Sequence, residues 1–332
     1  MSPPAAFVSA IGPAMERYVA LKRALGRRYD AERHILALLD RFLAALPVSD
    51  LTAATFTAWC TSIEHLTALG RRASMRTVLL FCQYRRRSEP SCFVPDPSQF
   101  PPPQPRRRPH IFSEDEITGL LRAAGALRAS ARSPLYRQVA RLAIVLLYTS
   151  GLRRGELVRL TLGDCHPVEH VLSVRDSKFH KSRLVPLSQD AAAEIERYLA
   201  DRLRRGFPRG PDTPLLLHRH RSTLTAYSGD GLCELVRDLF NAAGIRTATG
   251  RLPRVHDLRF TFAVHALSRL YRTGADVQTK LPALSIYMGH VSVASTQYYL
   301  TCLDDVAQQA SERFERHCAR FLVDASDEQG GR

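Results

Sequence analysis

The residues of this chain that could do chemistry gather between positions 256 and 299. His256 and Arg259 are three positions apart, and on a helix that spacing places both side chains on one face. Gly289-His290 follows, and Tyr299 comes nine residues after the histidine. A phenol can act as a nucleophile when a positive pocket eases loss of its proton. The stretch therefore predicts a phosphate-binding site with a tyrosine nucleophile.

The charge balance favours a polyanionic partner. The 332 residues include 47 Lys plus Arg against 32 Asp plus Glu, a formal net charge of +15. Most of the basic residues are arginine, whose planar fork fits phosphate oxygens, so the excess points to nucleic acid more than to a merely basic soluble protein. The length and the 45% hydrophobic content suggest two domains with sizeable cores.

Other classes of site are not indicated. The seven cysteines form no C-x-x-C pair and are interpreted as reduced thiols. His218, His220 and His317 lack metal-ligand spacing, so we expect no metal site. The sequence has neither an apolar run of about 18 residues nor a signal-peptide pattern, so we expect a cytoplasmic protein without a membrane segment.

Apolar spacing predicts a helical first domain over 1–88. One long or two stacked helices are expected over 13–46, another after Ser49, and another over 74–86. Residues 89–109 then hold eight prolines and no helical period, which is typical of an extended, semi-rigid linker.

The second domain, 110–332, is predicted to be mainly α-helical with a small β-sheet. Ser113 and Glu116 form a capping-box pattern at its first helix. A β-branched run at 171–174, followed by 176–182 and then by Arg183-Leu184-Val185-Pro186-Leu187, predicts a hairpin with a basic tip. Further helices are expected around 137–149, 154–160, 188–205, 230–243 and 256–274, and a last amphipathic helix at 305–323.

In chain order, this domain carries Gly151-Leu152-Arg153-Arg154-Gly155-Glu156-Leu157, Lys178 before Val185-Pro186-Leu187, His256-x-x-Arg259, Gly289-His290 and Tyr299. The arrangement resembles the tyrosine recombinase (phage integrase) family over about 106–323. The first domain resembles the family's core-binding, SAM-like domain in general build only. Each motif is weak alone, but five in the family's order and approximate spacing are hard to reach by accident.

The resemblance implies a site-specific DNA recombinase that works through a 3′-phosphotyrosyl intermediate, with a mixed α/β catalytic domain and no cofactor or metal. Double-stranded DNA is the implied partner, bound by a homo-tetramer on paired sites or by a hetero-assembly with related recombinases. The helix at 305–323 would dock on a neighbouring protomer, with packing on its own domain as the alternative. A type IB topoisomerase-like relaxase and a DNA-binding regulator that has lost cleavage are the alternatives.

The same resemblance assigns the catalytic donors. Arg153 and Arg259 would bind the non-bridging oxygens of the scissile phosphate, a task for which Lys is a poor substitute. His290 would be a third donor. Glu156 would brace Arg153, although an acid in a first helical turn also suits the helix dipole. Arg154 is the adjacent, more exposed candidate.

Proton transfer and attack fall to other residues of the family pattern. Tyr299 would attack, with Tyr298 as its neighbouring alternative, and His256 would help to move the phenolic proton. Lys178 would protonate the departing 5′ oxygen, with Lys181 as the competing lysine.

Contacts to the DNA backbone are expected from the basic residues of the linker and hairpin, Arg106, Arg107, Arg108, Lys181 and Arg183. Two departures from the family pattern stand out. Phe260 replaces the basic residue that often follows the H-x-x-R arginine, and 276–288 is longer than in compact members. The second departure resembles recombinases of transposons and other mobile elements more than the Xer type.

Overall fold

The structure is a computed structural model that describes residues 6–103, 107–128, 133–175, 182–220 and 223–289. The chain divides into two compact units, Met1–Arg107 and Arg108–Arg332. Each unit has a hydrophobic core of its own.

The first unit is helical in its described part. The sequence left 13–46 open between one helix and two, and the structure has two, separated at Tyr29, whose backbone is left-handed with φ 56°. Thr52 and Thr67 cap the next two helices by accepting hydrogen bonds from backbone N–H groups. The helices are α1 (Gly12–Ala24), α2 (Asp30–Ala44), α3 (Ala53–Ser62) and α4 (Ala68–Arg85).

Much of the proline-rich segment packs against the core of the first unit. The rings of Phe93 and Phe100 pack against Phe56, and Arg72 donates to the carbonyl of Pro101. The buried ring of Phe100 and the partly buried ring of Phe93 favour this packed path over an extended one. Residues 93–101 thus belong to the first unit, which shortens the linker expected over 89–109.

The second unit is mixed but mainly helical, as predicted. The predicted capping box of Ser113 and Glu116 is confirmed. A three-stranded antiparallel sheet of order β1-β2-β3 and a separate β4-β5 hairpin accompany the helices. The elements are α5 (Glu114–Ala126), α6 (Tyr136–Thr149), α7 (Arg154–Leu157), β1 (Cys165–His166), β2 (Val171–Val174), β3 (Arg183–Pro186), α8 (Gln189–Arg204), β4 (Leu217–His220), β5 (Thr223–Ala226), α9 (Gly229–Ala242), α10 (Val255–Arg272) and α11 (Val277–Met288).

Helix α6 lies at the centre of this unit, against α5, α8 and α10. Between residues 139 and 147 all its side chains are buried except Arg141 and Val145, as expected for a helix packed on several sides. Ahead of α5, Phe112 stacks on Phe240 with ring centroids 5.3 Å apart, and its N–H donates to Thr261 Oγ1 at 3.0 Å. The start of the unit is thereby tied to α9 and α10.

The sequence did not predict strand β1, the β4-β5 hairpin or helix α11. The β4-β5 hairpin is built from polar, histidine-rich residues, and α11 contains Pro282, which removes one backbone donor. Asp276 starts α11 by accepting from the N–H of Gln278 at 3.0 Å. None of the helices in the described parts of the chain combines the length and apolar character needed to cross a bilayer.

Candidate active site

Arg153 lies at the N-terminus of α7, just after a sharp turn at the end of α6. Gly151 makes this turn with φ +58°, and a Cβ there would lie 2.5 Å from a ring carbon of Phe262. A left-handed backbone and this close approach both require glycine. The Gly-Leu-Arg-Arg motif therefore acts as a turn that directs Arg153 away from the core of α6.

Glu156 lies one helical turn further on and is buried, with 3% of its surface exposed. It accepts from the Arg153 N–H at 2.9 Å and from Arg153 Nη1 at 2.8 Å. Burial alone would raise the pKa of this carboxyl, but hydrogen bonds and charge from Arg183, and then from Arg153, lower it to about 2. Glu156 is thus a permanent anion that fixes the plane of the Arg153 guanidinium.

Arg259 is one of the most deeply buried side chains, with 1% exposed. Its Nη1 donates to the carbonyl of Gly151 and its Nη2 to the carbonyl of Met288. Arg259, which belongs to α10, therefore connects the turn before Arg153 with the end of α11.

The C-terminal end of α11 collects three arginines. The consecutive carbonyls of residues 287–289 accept from Arg183 at 2.8 Å, from Arg259, and from Arg153 at 2.8 Å, respectively. These carbonyls form the negative end of the helix dipole, where cations stabilise a helix. Gly289 ends α11 with φ +64°, and a Cβ there would lie 2.8 Å from Arg183 Nη1.

His256 lies in the first turn of α10 with its ring edge-on to Phe260, centroids 5.3 Å apart. Desolvation and the positive charge of Arg259 lower its pKa to about 4, with smaller contributions from Arg254 and Arg153. The residue is exposed to solvent, which weakens the effect of desolvation, but the pKa is still lowered. The imidazole is therefore neutral near pH 7.

The structure joins Arg153 and Glu156 by hydrogen bonds, brings Arg153 and Arg259 to neighbouring carbonyls at the end of α11, and places His256 at the start of the helix that carries Arg259. Arg107 and Arg108 are exposed. The remaining predicted site residues, Arg106, Lys178, Lys181, His290 and Tyr299, lie outside the described residues.

Arg183 departs from its expected role as a DNA contact. Only 10% of its side chain is exposed, and its fork pairs with both carboxylate oxygens of Glu156, at 3.0 and 2.9 Å. A buried carboxylate needs such partners. The sequence gave no sign of this pairing, because Glu156 lies 27 positions before Arg183. Arg154 points elsewhere and pairs with Asp230 at the surface of α9.

Within the described ranges, no group of three or more His, Cys, Asp or Glu side chains is arranged to hold a metal ion.

Comparison with known proteins supports the family resemblance over most of the chain. The sequence model of the phage integrase family matches residues 111–305. A Sinorhizobium fredii protein named as an integrase/recombinase, y4rB, is 32% identical over 312 residues, 93% of this chain and 98% of that protein. The tyrosine recombinase XerA of Pyrococcus horikoshii is 27% identical over 212 residues, 64% of each chain.

The fold is also similar to that of solved proteins. A structure of the Tn1549 transposon integrase with transposon right-end DNA covers 93% of this chain and 99% of its own, with a TM-score of 0.63 and 15% identity. A lambda integrase dimer bound to a core site covers 86% of this chain and 94% of its own, with a TM-score of 0.56 and 18% identity.

Proposed function

The chain belongs to the phage integrase family and is a tyrosine-type site-specific DNA recombinase, and from that premise we propose that Tyr299 is its nucleophile. In this proposal the Tyr299 oxygen attacks a backbone phosphorus, a tyrosyl–phosphate bond forms, and the bond to the 5′ oxygen breaks. The strand is then held as a 3′-phosphotyrosyl ester. Attack by the 5′ hydroxyl of another strand reverses the step without an external energy source.

The observation that carries this proposal is the attachment of Arg153 and Arg259 to the last residues of α11. These contacts end at Gly289, and His290 follows directly in the sequence. A phosphodiester under attack gathers negative charge on its equatorial oxygens, and fixed donors there act like an oxyanion hole. Arg153 is suited to this because Glu156 and Gly289 hold its plane while 26% of its side chain remains exposed.

Proton transfer is assigned to His256 and Lys178. A neutral imidazole can accept the phenolic proton, and the lowered pKa of His256 keeps it neutral at the pH of the cell. Lys178 would give a proton to the departing 5′ oxygen. Each proton thus has a named source and destination.

A covalent-adduct experiment tests the nucleophile. A target duplex is first selected from a random pool by binding to the wild-type chain, and its cleavage position is mapped. A version of that duplex, nicked so that the short cleaved fragment diffuses away, then traps the adduct. We expect wild-type protein and Tyr298→Phe to form the adduct and Tyr299→Phe to form none. An adduct in Tyr299→Phe, or none in the wild type, would overturn the proposal.

The partner is double-stranded DNA, bound by phosphate neutralisation from the two units. Such binding weakens steeply with salt. The proposed contacts to the DNA backbone are Arg106, Arg107, Arg108 and Lys181.

We also propose a tetramer on paired sites that depends on residues 305–323. A chain ending at residue 304 should lose synapsis of two selected duplexes while still binding one, and normal synapsis would refute this dependence.

A further inference from the structure

Arg183 uses its whole guanidinium inside the protein. Its Nη1 and Nη2 donate to the two carboxylate oxygens of Glu156, and its Nε donates to the carbonyl of Tyr287 at 2.8 Å. Three donors in one plane thus contact two separate elements. Arg183 itself begins strand β3, so three parts of the unit meet at one side chain.

Glu156 is shared between two arginines. Each of its oxygens accepts one hydrogen bond from Arg153 and one from Arg183, all between 2.8 and 3.0 Å. The position of the carboxylate is therefore set by Arg183 as much as by Arg153. A displacement of Arg183 would pass directly to the plane of the Arg153 fork.

The hairpin that Arg183 anchors is tied to α11 at a second point. Tyr287 donates its hydroxyl to the carbonyl of Pro186, the last residue of β3, at 3.0 Å. Its ring stacks on Phe262 of α10 with centroids 5.3 Å apart and planes 21° apart. Strand β3 and the end of α11 therefore behave as one connected body.

We propose that Arg183 is a positioning residue that holds the β2-β3 hairpin, the Arg153 fork and the end of α11 in fixed relation through Glu156 and the Tyr287 carbonyl. This inference rests on the proposed function, because the hairpin carries Lys178 in its sequence and α11 leads to His290. Arg183 touches no reacting atom in this scheme. It aligns the groups that do.

The geometry requires arginine in particular. A lysine ammonium can pair with Glu156 as a point charge, but it lacks the planar fork that contacts both carboxylate oxygens and a carbonyl together. Arg183→Lys should therefore keep the charge balance and the fold while losing alignment. It also serves if Arg183→Met fails to fold.

The test compares adduct formation on the selected, nicked duplex. Arg175→Met is the matched control, because Arg175 also lies at the hairpin, just after β2, and also pairs with a buried carboxylate, Asp164 at 2.8 Å, while 68% of its own side chain is exposed. A misplacement of about 1 Å costs about 100-fold in rate, so we expect a loss of about that size in Arg183→Met. Arg183→Lys should be intermediate, and Arg175→Met should be within about 3-fold of wild type. Affinity for the uncut duplex should stay within about 3-fold in all of them.

A sulfur leaving group separates alignment from general damage. When sulfur replaces the 5′ bridging oxygen, the departing group needs no proton, so misplacement of the hairpin that carries Lys178 matters less. We expect the loss in Arg183→Met to be clearly smaller on this duplex than on the normal one. An equal loss on both duplexes would overturn the role of the hairpin.

A double-mutant cycle with Glu156→Gln tests the route of the effect. Because Arg183 is proposed to act through this carboxylate, the double variant should lose far less than the product of the two single losses. Fully multiplicative losses, or an Arg183→Met variant that reacts like wild type, would overturn the inference alone. Absence of any wild-type adduct would overturn the proposed function, and this inference with it.

Discussion

Two clusters in this chain hold arginine side chains against carboxylates, with opposite ratios of arginine to carboxylate. In the first unit, the Arg85 side chain is 5% exposed and pairs with two carboxylates, Asp50 at 2.7 Å and Glu89. In the second unit, Arg153 and Arg183 share the single carboxylate of Glu156. In the first cluster the two carboxylates outnumber the one arginine. In the second cluster the arginines outnumber the carboxylate, and backbone carbonyls accept their remaining hydrogen bonds.

The difference separates Arg85, which is buried and stabilises the first unit, from Arg153, whose side chain stays 26% exposed at the proposed site. Carbonyl dipoles orient a guanidinium without cancelling its charge, so the second cluster keeps a positive field at the end of α11. Desolvation is the largest cause of the lowered pKa of His256, and the positive charges of Arg259, Arg254 and Arg153 lower it further. Breaking each cluster should therefore have different consequences.

Arg153→Ala should have the largest effect on reaction. Loss of one preorganised donor costs about 100- to 1,000-fold in rate, measured as adduct formation on the selected duplex at saturating protein. The adjacent Arg154→Ala removes contacts on α9, with Asp230 and with the thiol of Cys233, and should stay within about 3-fold of wild type. Similar losses in the two variants would erase the distinction between them.

Glu156→Gln should alter how stability depends on pH. The pKa of Glu156 is lowered from 4.5 to about 2, so its charge stabilises the folded chain by up to about 3 kcal/mol above pH 4.5. That contribution is lost as the pH falls from 4.5 towards 2. In denaturant unfolding, the advantage of wild type over Glu156→Gln should shrink between pH 7 and pH 3. A constant difference would contradict the shared-carboxylate arrangement.

Arg85→Met should damage stability and spare chemistry. Its hydrogen bonds to charged groups contribute about 2 kcal/mol, while the partly exposed Asp50 and Glu89 can rehydrate. Unfolding of the full chain in urea should show a destabilised first unit, and the rate of adduct formation per bound complex should equal that of wild type. A large loss of rate at full binding would break the contrast between the clusters.

His256→Asn should give the smallest change in stability. The pKa of His256 is lowered from 6.5 to about 4, so the unfolded chain takes up a proton first as the pH falls below 6.5. The stability of wild type relative to the variant is complete above that pH and declines between 6.5 and 4. Titration of the His256 ring by NMR checks the direction, and a midpoint at or above 6.5 would refute it.

Much of the fold was predictable because its signals are local. Apolar periodicity located α6, α8 and α9, and a Ser-x-x-Glu pattern located the start of α5. Helix α11 escaped because its interior proline opposes the pattern, and its packing against α10 outweighs that cost. The path of residues 93–101 over Phe56 depends on tertiary packing that periodicity does not contain.

For the site, motif order indicated Arg153, Glu156 and Arg259 together, and the structure joins them. Arg183 was taken for a DNA contact because charge in a hairpin ordinarily faces solvent. Its real partner, Glu156, lies 27 positions away in the sequence. The attachment of three arginines to residues 287–289 likewise joins distant segments, so only coordinates reveal it.

The end of α11 has a consequence for how the chain can move during strand exchange. Three guanidiniums hold the last three carbonyls, so residue 289 is a fixed end of this helix. If Tyr299 is the nucleophile, as proposed, we expect any movement that brings it to a phosphate to pivot after residue 289. Lengthening the tether after Gly289 by a few residues should retune the reach of the nucleophile without loosening the arginine pocket itself.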